Sequence, residues 1–136
     1  MTKVLVLNGP NLNRLGTREP GIYGSTTFAE LADLCRAQAV ALGLEADVRR
    51  LVDRAPHRLG AVPVILNPAA FTHYSYALRD ACAMLTAPLI EVHISNPQAR
   101  EEFRHTSVIS GVATGTIAGF GIDSYRLALQ ALAAST

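Results

Sequence analysis

The sequence predicts an α/β fold, a flavodoxin-like doubly wound sheet of five parallel strands in the order 2-1-3-4-5, layered α/β/α. Three observations carry this. Short β-branched and leucine-rich runs, typical of strands covered on both faces, recur along the 136 residues. Amphipathic helical patterns lie between them, which implies parallel pairing through right-handed crossovers. A long polar, glycine-rich loop follows the first run, at the carboxyl end of a strand, where open α/β sheets place their ligands.

The first strand is Lys3-Val4-Leu5-Val6-Leu7, and its loop runs from Asn8 to Gly24. That loop is longer than an ordinary strand-to-helix connection, as expected of a binding loop or lid. Gly16, Gly21 and Gly24 give it the freedom to open and close. Thr27 before Phe28, with Glu30 three residues on, is a capping-box signature. The helix that follows has an apolar stripe of Phe28, Leu31, Leu34, Cys35, Val40 and Leu42, and Gly43 stops it. Leu44 to Val48 reads as a second strand, whereas Arg49 to Gly60 is ambiguous because Pro56 interrupts any helix there. Pro63 to Leu66 is a third buried strand. Tyr74 to Leu85 reads as a helix with Tyr76, Leu78, Ala81, Cys82 and Leu85 inward. Pro88 to His93 is the fourth strand and Gly115 to Phe120 the fifth. A terminal helix carries Tyr125, Leu127, Ala128, Leu129 and Leu132. The whole chain, residues 1–136, is expected to form one domain, with a lid at about 14–24.

Composition narrows the function. A formal net charge of +1 offers no attraction for nucleic acid or an anionic membrane. Cys35 and Cys82 fall on apolar helical positions without metal-ligand spacing, as reduced core thiols would. The N-terminus reads as a strand and not as a signal peptide, and no apolar stretch approaches the roughly 20 residues that span a bilayer. A soluble cytoplasmic protein is expected. The loop after the first strand has neither a Gly-x-Gly-x-x-Gly nor a Gly-Lys-Ser/Thr pattern, which argues against a nucleotide cofactor.

Parallel strands share a carboxyl edge, so three strand ends converge there. They bring Asn11 with the Arg18 and Tyr23 loop, Asn67 with His73, and His93 with Ser95. Glu91 and His93, two apart on a strand, share one face. A carboxylate beside an imidazole fixes its tautomer and favours its protonated form, as suits a general acid; a buried structural pair is the other reading. Tyr23 could act as a base only if a neighbouring cation such as Arg18 lowered a phenol pKa that is normally about 10. A tyrosine that merely packs the loop is the alternative. Arg100 and Arg104 either bind an anionic or hydroxylated ligand or form a solvated face with Glu101 and Glu102. His57 and His105 have no partner in the pattern.

These residues resemble a known family. Asn8-Gly9-Pro10-Asn11-Leu12, Leu15-Gly16-Thr17-Arg18-Glu19-Pro20 and Ile22-Tyr23-Gly24 are similar to the N-terminal signature of type II 3-dehydroquinate dehydratases. The similarity continues through Ile65 to His73, Ala77 to Ala81, Ile90 to Asn96, Ala99 to Arg104, and Gly119-Phe120-Gly121. It implies loss of water from 3-dehydroquinate to give 3-dehydroshikimate, in the shikimate pathway, without metal or organic cofactor. Tyr23, aided by Arg18, would take the proton beside the ketone, and Asn11 would stabilise the enolate through an ordered water. His93, oriented by Glu91, would protonate the departing hydroxyl. Asn67, Ser95 and the amides around Ile94 would hold the substrate carboxylate, while His73 and Arg104 would hold ring hydroxyls. Asp80 would reach the site of a neighbouring subunit, in trimers grouped into a dodecamer, and Arg100 would help secure the lid.

One departure stands out. Family members carry a Gln-Ser/Thr-Asn-x-Glu-Gly-like stretch and a full helix after the second strand, where this chain runs from Val48-Arg49-Arg50 into Leu51 to Pro56. It is about seven residues short there, more than the imprecision of an element boundary. The shortfall is either a deletion or a loop missing from the sequence. It also keeps open a member that assembles without catalysing. A flavin- or nucleotide-binding domain of the same fold is the alternative from another class.

Overall fold

The computed structural model of the chain describes residues 2–9, 26–50 and 61–135. Five strands form one parallel sheet, β1 (Thr2–Asn8), β2 (Leu44–Arg50), β3 (Val64–Asn67), β4 (Leu89–His93) and β5 (Gly115–Ala118). Their order is β2-β1-β3-β4-β5, as the alternation of strands and helices predicts. The register aligns Asn8 with Asn67 and Leu66 with Glu91, so β1, β3 and β4 end at one edge.

Alternate side chains of these strands enter two separate cores. Val4, Val6, Ile65, Ile90 and Val92 pack on one face, beneath α1 (Phe28–Ala41) and α3 (Asp123–Ala134). Leu5, Leu7, Val64, Leu66 and Leu89 pack on the other, with Cys82 of α2 (Tyr76–Ala83) and Ile109. Burial on both faces is why these strands read as unbroken apolar runs.

Local chemistry sets the helix ends. Thr27 accepts from the Glu30 amide at 3.1 Å while the Glu30 carboxylate takes the Thr27 amide and hydroxyl, completing the expected capping box. α1 stops at Gly43, whose φ of 76° ends the helix without a Cβ penalty. Ser75 caps α2 by accepting from the Leu78 amide, so that helix starts two residues later than Tyr74.

The helix phases correct three assignments. Val40, Tyr76 and Ala81 are exposed, although each is expected on an apolar face. In α1 the buried row is Leu31, Cys35 and Ala39, four apart, so Val40 rotates out. In α2 Leu78 and Cys82, four apart, face the core, with Leu85 just past the helix end, which turns Tyr76 and Ala81 to the outside. In α3 Tyr125, Ala128, Leu129 and Leu132 take the core face and Leu127 falls off it. Each apolar stripe is narrower than its residue composition.

The β4-to-β5 crossover also differs from strict alternation. It is built from three 3-10 turns, Pro97–Ala99, Glu102–His105 and Ser110–Val112. Asn96 and Ser107 accept from nearby backbone amides, the local bonding with which such residues compete against a helix, and Pro97 adds a stop. The stretch 51–60, and with it Pro56, His57 and the point of the expected shortfall, lies outside the described residues.

At the shared carboxyl edge the backbone is crowded. The Gly9 amide donates to the Asn67 carbonyl at 2.6 Å, and a Cβ on Gly9 would sit 2.6 Å from the Pro68 carbonyl oxygen. Ala69, two residues past the strand, holds φ at 52°, left-handed for a residue with a side chain. Gly9→Ala should therefore destabilise the fold by about 1–3 kcal/mol, because the obstacle is backbone that cannot swing away. Ala69→Gly should leave stability unchanged or raise it by up to about 1 kcal/mol, since relief of a left-handed alanine opposes the added chain entropy. Chemical denaturation of both variants checks the pair.

Candidate active site

The carboxyl edge places two polar assemblies, one on each face of the sheet. The first is buried. Asn8 donates from its amide to the Arg49 carbonyl at 3.1 Å and accepts from the Tyr125 hydroxyl at 2.7 Å. Tyr125 in turn accepts from the Asn67 amide at 2.9 Å, and Asn67 accepts from the Ala69 amide at 3.1 Å. The chain thus ties the ends of β1, β2 and β3 to α3. Burial pushes the Tyr125 phenol far above its ordinary value, and the Asn67 hydrogen bond only partly opposes that. Tyr125 stays neutral and structural.

The second assembly surrounds Glu91 on β4. Glu91 and His93 share a strand face, as period two requires, and His93 Nε2 lies 2.5 Å from Glu91 Oε2. The carboxylate side chain is 1% exposed and the imidazole 10%. Thr72 donates to Oε2 at 2.5 Å, Ser110 to Oε1 at 2.8 Å, and Ser107 reaches the two oxygens at 3.0 and 3.2 Å. Burial pushes the Glu91 carboxyl up, but the hydrogen bonds from His93, Thr72 and Ser110 and the imidazole charge outweigh it. Its pKa lies below the usual carboxylate value.

A cleft of about 370 Å³ opens above this pair, lined by His73, Glu91, His93 and Arg104 among others. His73 is held by its Nδ1 against the Thr106 carbonyl at 2.8 Å, and its ring meets Phe103 edge-on at 5.7 Å. Arg104 pairs with Glu101 and lies over the Phe103 ring at 4.7 Å. His105, unassigned by sequence, places Nε2 3.2 Å from the Arg100 carbonyl and lines the same cleft. Four of the expected site residues therefore meet in one cavity: His73, Glu91, His93 and Arg104.

The others lie differently. Asn67 is 3% exposed and engaged with Tyr125 and Ala69 on the opposite face of the sheet. Ile94 is buried, with its carbonyl taken by the Gly121 amide. Ser95 accepts from Arg100 at 3.3 Å beside the cleft. Asp80 is exposed on α2. Asn11, Arg18 and Tyr23, with the lid at about 14–24, lie outside the described residues.

Sequence reasoning passed over Thr72, Ser107 and Ser110. The signal for them was weak: a hydroxyl-rich stretch, Thr106-Ser107 and Ser110, after the strand that carries a buried carboxylate. Among the described residues no group of three His, Cys, Asp or Glu side chains could hold a metal ion. No helix among them is long and apolar enough to cross a membrane. Cys35 and Cys82 are free and buried, and burial pushes their thiols up to about 12 and about 11, which leaves them as packing groups.

The family model described as Dehydroquinase class II matches residues 2–133. The chain is 57% identical over 140 residues to the 3-dehydroquinate dehydratase of Salinispora tropica, with 97% of each chain covered. It is 58% identical over 137 residues to the protein of the same name from Mycobacterium avium, with 96% of each covered. The 140-residue alignment is longer than this chain of 136, so the Salinispora protein carries residues within it that this chain lacks. The crystal structure of type II dehydroquinase from Propionibacterium acnes superposes with a TM-score of 0.91 at 51% identity, covering 98% of this chain and 97% of that one. The enzyme from Butyrivibrio crossotus gives 0.87 at 39% identity, covering 96% and 97%.

The depressed Glu91 pKa links stability to pH. A carboxyl whose folded value lies below its unfolded one contributes stability above the unfolded value and loses it as pH falls through the folded value. Wild type should therefore lose thermal stability as pH drops through and below the ordinary carboxylate range. Glu91→Gln, which turns an acceptor into a donor facing four donors, should melt lower at neutral pH by about 1–3 kcal/mol. The gap between the two should narrow in acid, and calorimetric melts across pH measure it.

Proposed function

Because the chain belongs to the class II dehydroquinase family, we propose that it is a 3-dehydroquinate dehydratase, a hydro-lyase of the shikimate pathway. It removes water from 3-dehydroquinate to give 3-dehydroshikimate. The observation that best supports the chemistry is the Glu91–His93 pair, buried at a strand end and opening into a cleft with His73 and Arg104. A carboxylate hydrogen-bonded to an imidazole in a concave site is what proton transfer to a leaving group needs.

The reaction divides between two ends of the chain. Tyr23, with its phenol acidified by Arg18, removes the proton from the carbon beside the ketone. The electron pair moves onto the carbonyl oxygen as an enolate, which Asn11 stabilises through an ordered water. The enolate then collapses, the carbon–oxygen bond to the departing hydroxyl breaks, and His93 supplies the proton with which it leaves as water. Glu91 holds the imidazole in place and balances its charge. Solvent returns a proton to His93 and takes one from Tyr23. No metal or organic cofactor enters these steps.

Binding is assigned to side chains at the same edge. His73 and Arg104, in the cleft, suit ring hydroxyls. Ser95, the amides around Ile94 and the spare hydrogen of the Asn67 amide suit the substrate carboxylate. Arg100, already bonded to Ser95, helps hold the lid at about 14–24 closed over the site. Asp80, exposed on α2, reaches the site of a neighbouring subunit, in trimers assembled into a dodecamer. The enzyme works in the cytoplasm as one catalytic domain of residues 1–136.

Mixing the protein with 3-dehydroquinate and following the enone absorbance of the product tests the reaction. No signal at high enzyme concentration would overturn it. Tyr23→Phe should lower kcat about 100-fold or more, the usual worth of a general base, while substrate binding measured by calorimetry persists. Substantial retained turnover would remove Tyr23 from the role of base.

A further inference from the structure

The direction of the hydrogen bonds around Glu91 is set from outside the pair that does the chemistry. Ser107 Oγ accepts from the Ile109 amide at 3.1 Å and from the Ser110 amide at 3.0 Å. A hydroxyl has two lone pairs and one hydrogen. With both lone pairs filled by backbone donors, which cannot reverse, Ser107 is closed as an acceptor and must donate. Its hydrogen goes to Glu91, at 3.0 or 3.2 Å, or to Thr72 Oγ1 at 2.6 Å.

Thr72 then has Glu91 as its remaining acceptor in the cluster, and it lies 2.5 Å from Oε2. Ser110 adds a donor to Oε1 at 2.8 Å. A proton placed on Glu91 would face hydroxyls already turned toward it as donors. The carboxylate is therefore held as a pure acceptor, and the hydrogen in the 2.5 Å contact with His93 belongs to Nε2 of the imidazole. Nδ1 is left as the nitrogen that exchanges a proton with whatever occupies the cleft.

We propose that Ser107 is a positioning residue of the dehydratase: its backbone-locked hydroxyl, acting with Thr72 and Ser110 on Glu91, keeps the hydrogen of neutral His93 on Nε2, so that Nδ1 is the nitrogen that takes a proton from solvent, forming the imidazolium, and gives it to the departing hydroxyl. The kinetic part of the test rests on the dehydratase reading, whereas the tautomer does not. Ser107 touches the positioning carboxylate and not the reacting atoms, so its loss should act on the chemical step and spare binding. One charge-assisted hydrogen bond to a buried carboxylate corresponds to roughly a tenfold effect.

The experiment uses the full-length enzyme labelled with 15N-histidine, the His93 signals being assigned by their loss in His93→Gln. Wild type should show a protonated Nε2 and an unprotonated Nδ1 for neutral His93. In Ser107→Ala the two nitrogens should shift toward an average of both tautomers. With 3-dehydroquinate as substrate, kcat should fall about tenfold while KM stays within about twofold. Ser107→Thr, which keeps the hydroxyl, should restore the spectrum and most of kcat. If Ser107→Ala does not fold, the exposed Ser110→Ala gives the same readouts with a smaller shift. An Nδ1–H tautomer in wild type, or variants whose His93 spectrum and kcat match wild type while only the melting temperature falls, would overturn the proposal. Inactive wild type with the expected tautomer pattern would count against the reaction and not against the hydroxyl lock.

Discussion

A carboxylate taken almost wholly out of water is the constraint around which this half of the molecule is arranged. Desolvating one such ion costs several kcal/mol, and only donors aimed at it repay that. Glu91 collects its donors from three places: His93 on its own strand, Thr72 in the turn after β3, and Ser107 with Ser110 in the crossover after β4. The irregular β4-to-β5 segment supplies two of these donors. Its 3-10 turns leave Ser107 and Ser110 within reach of Glu91. The same turns and the one after β3 place His73 and Arg104 in the cleft with His93.

The opposite face answers a second polar problem with a neutral solution. Asn8 and Asn67 end adjacent strands, both buried, and each needs partners for its amide. The Tyr125 hydroxyl bridges them, and the backbone groups of Arg49 and Ala69 terminate the chain. Among the described residues no buried side-chain nitrogen or oxygen lacks a partner. The bridge fixes the ends of β1 and β3, and just past β1 the Gly9 backbone lies so close to Pro68 that a Cβ there would clash. One face thus holds charge for proton transfer while the other holds the frame still.

Much of this was legible beforehand because it depends on near neighbours in sequence. The capping box at Thr27 and Glu30, the stop at Gly43 and the pairing of Glu91 with His93 each follow from spacings of two to a few residues. The strand order followed from alternation and topology. The helix faces were harder, since Val40, Tyr76 and Ala81 fit a composition but not the phase that packing selects. The three hydroxyls were illegible. Serine and threonine are common in any loop, and what distinguishes these is a carboxylate 16 to 19 residues away in sequence.

By itself, then, the sequence determined the layered α/β fold, the edge where chemistry sits and the Glu91–His93 pair, because periodicity and topology are written in local spacings. Tertiary structure decided which face of each helix is buried, why the β4-to-β5 crossover forgoes a helix, and which way the protons point around Glu91. Those outcomes depend on burial and on donors brought from distant segments, and a buried charge admits only the arrangement that satisfies it.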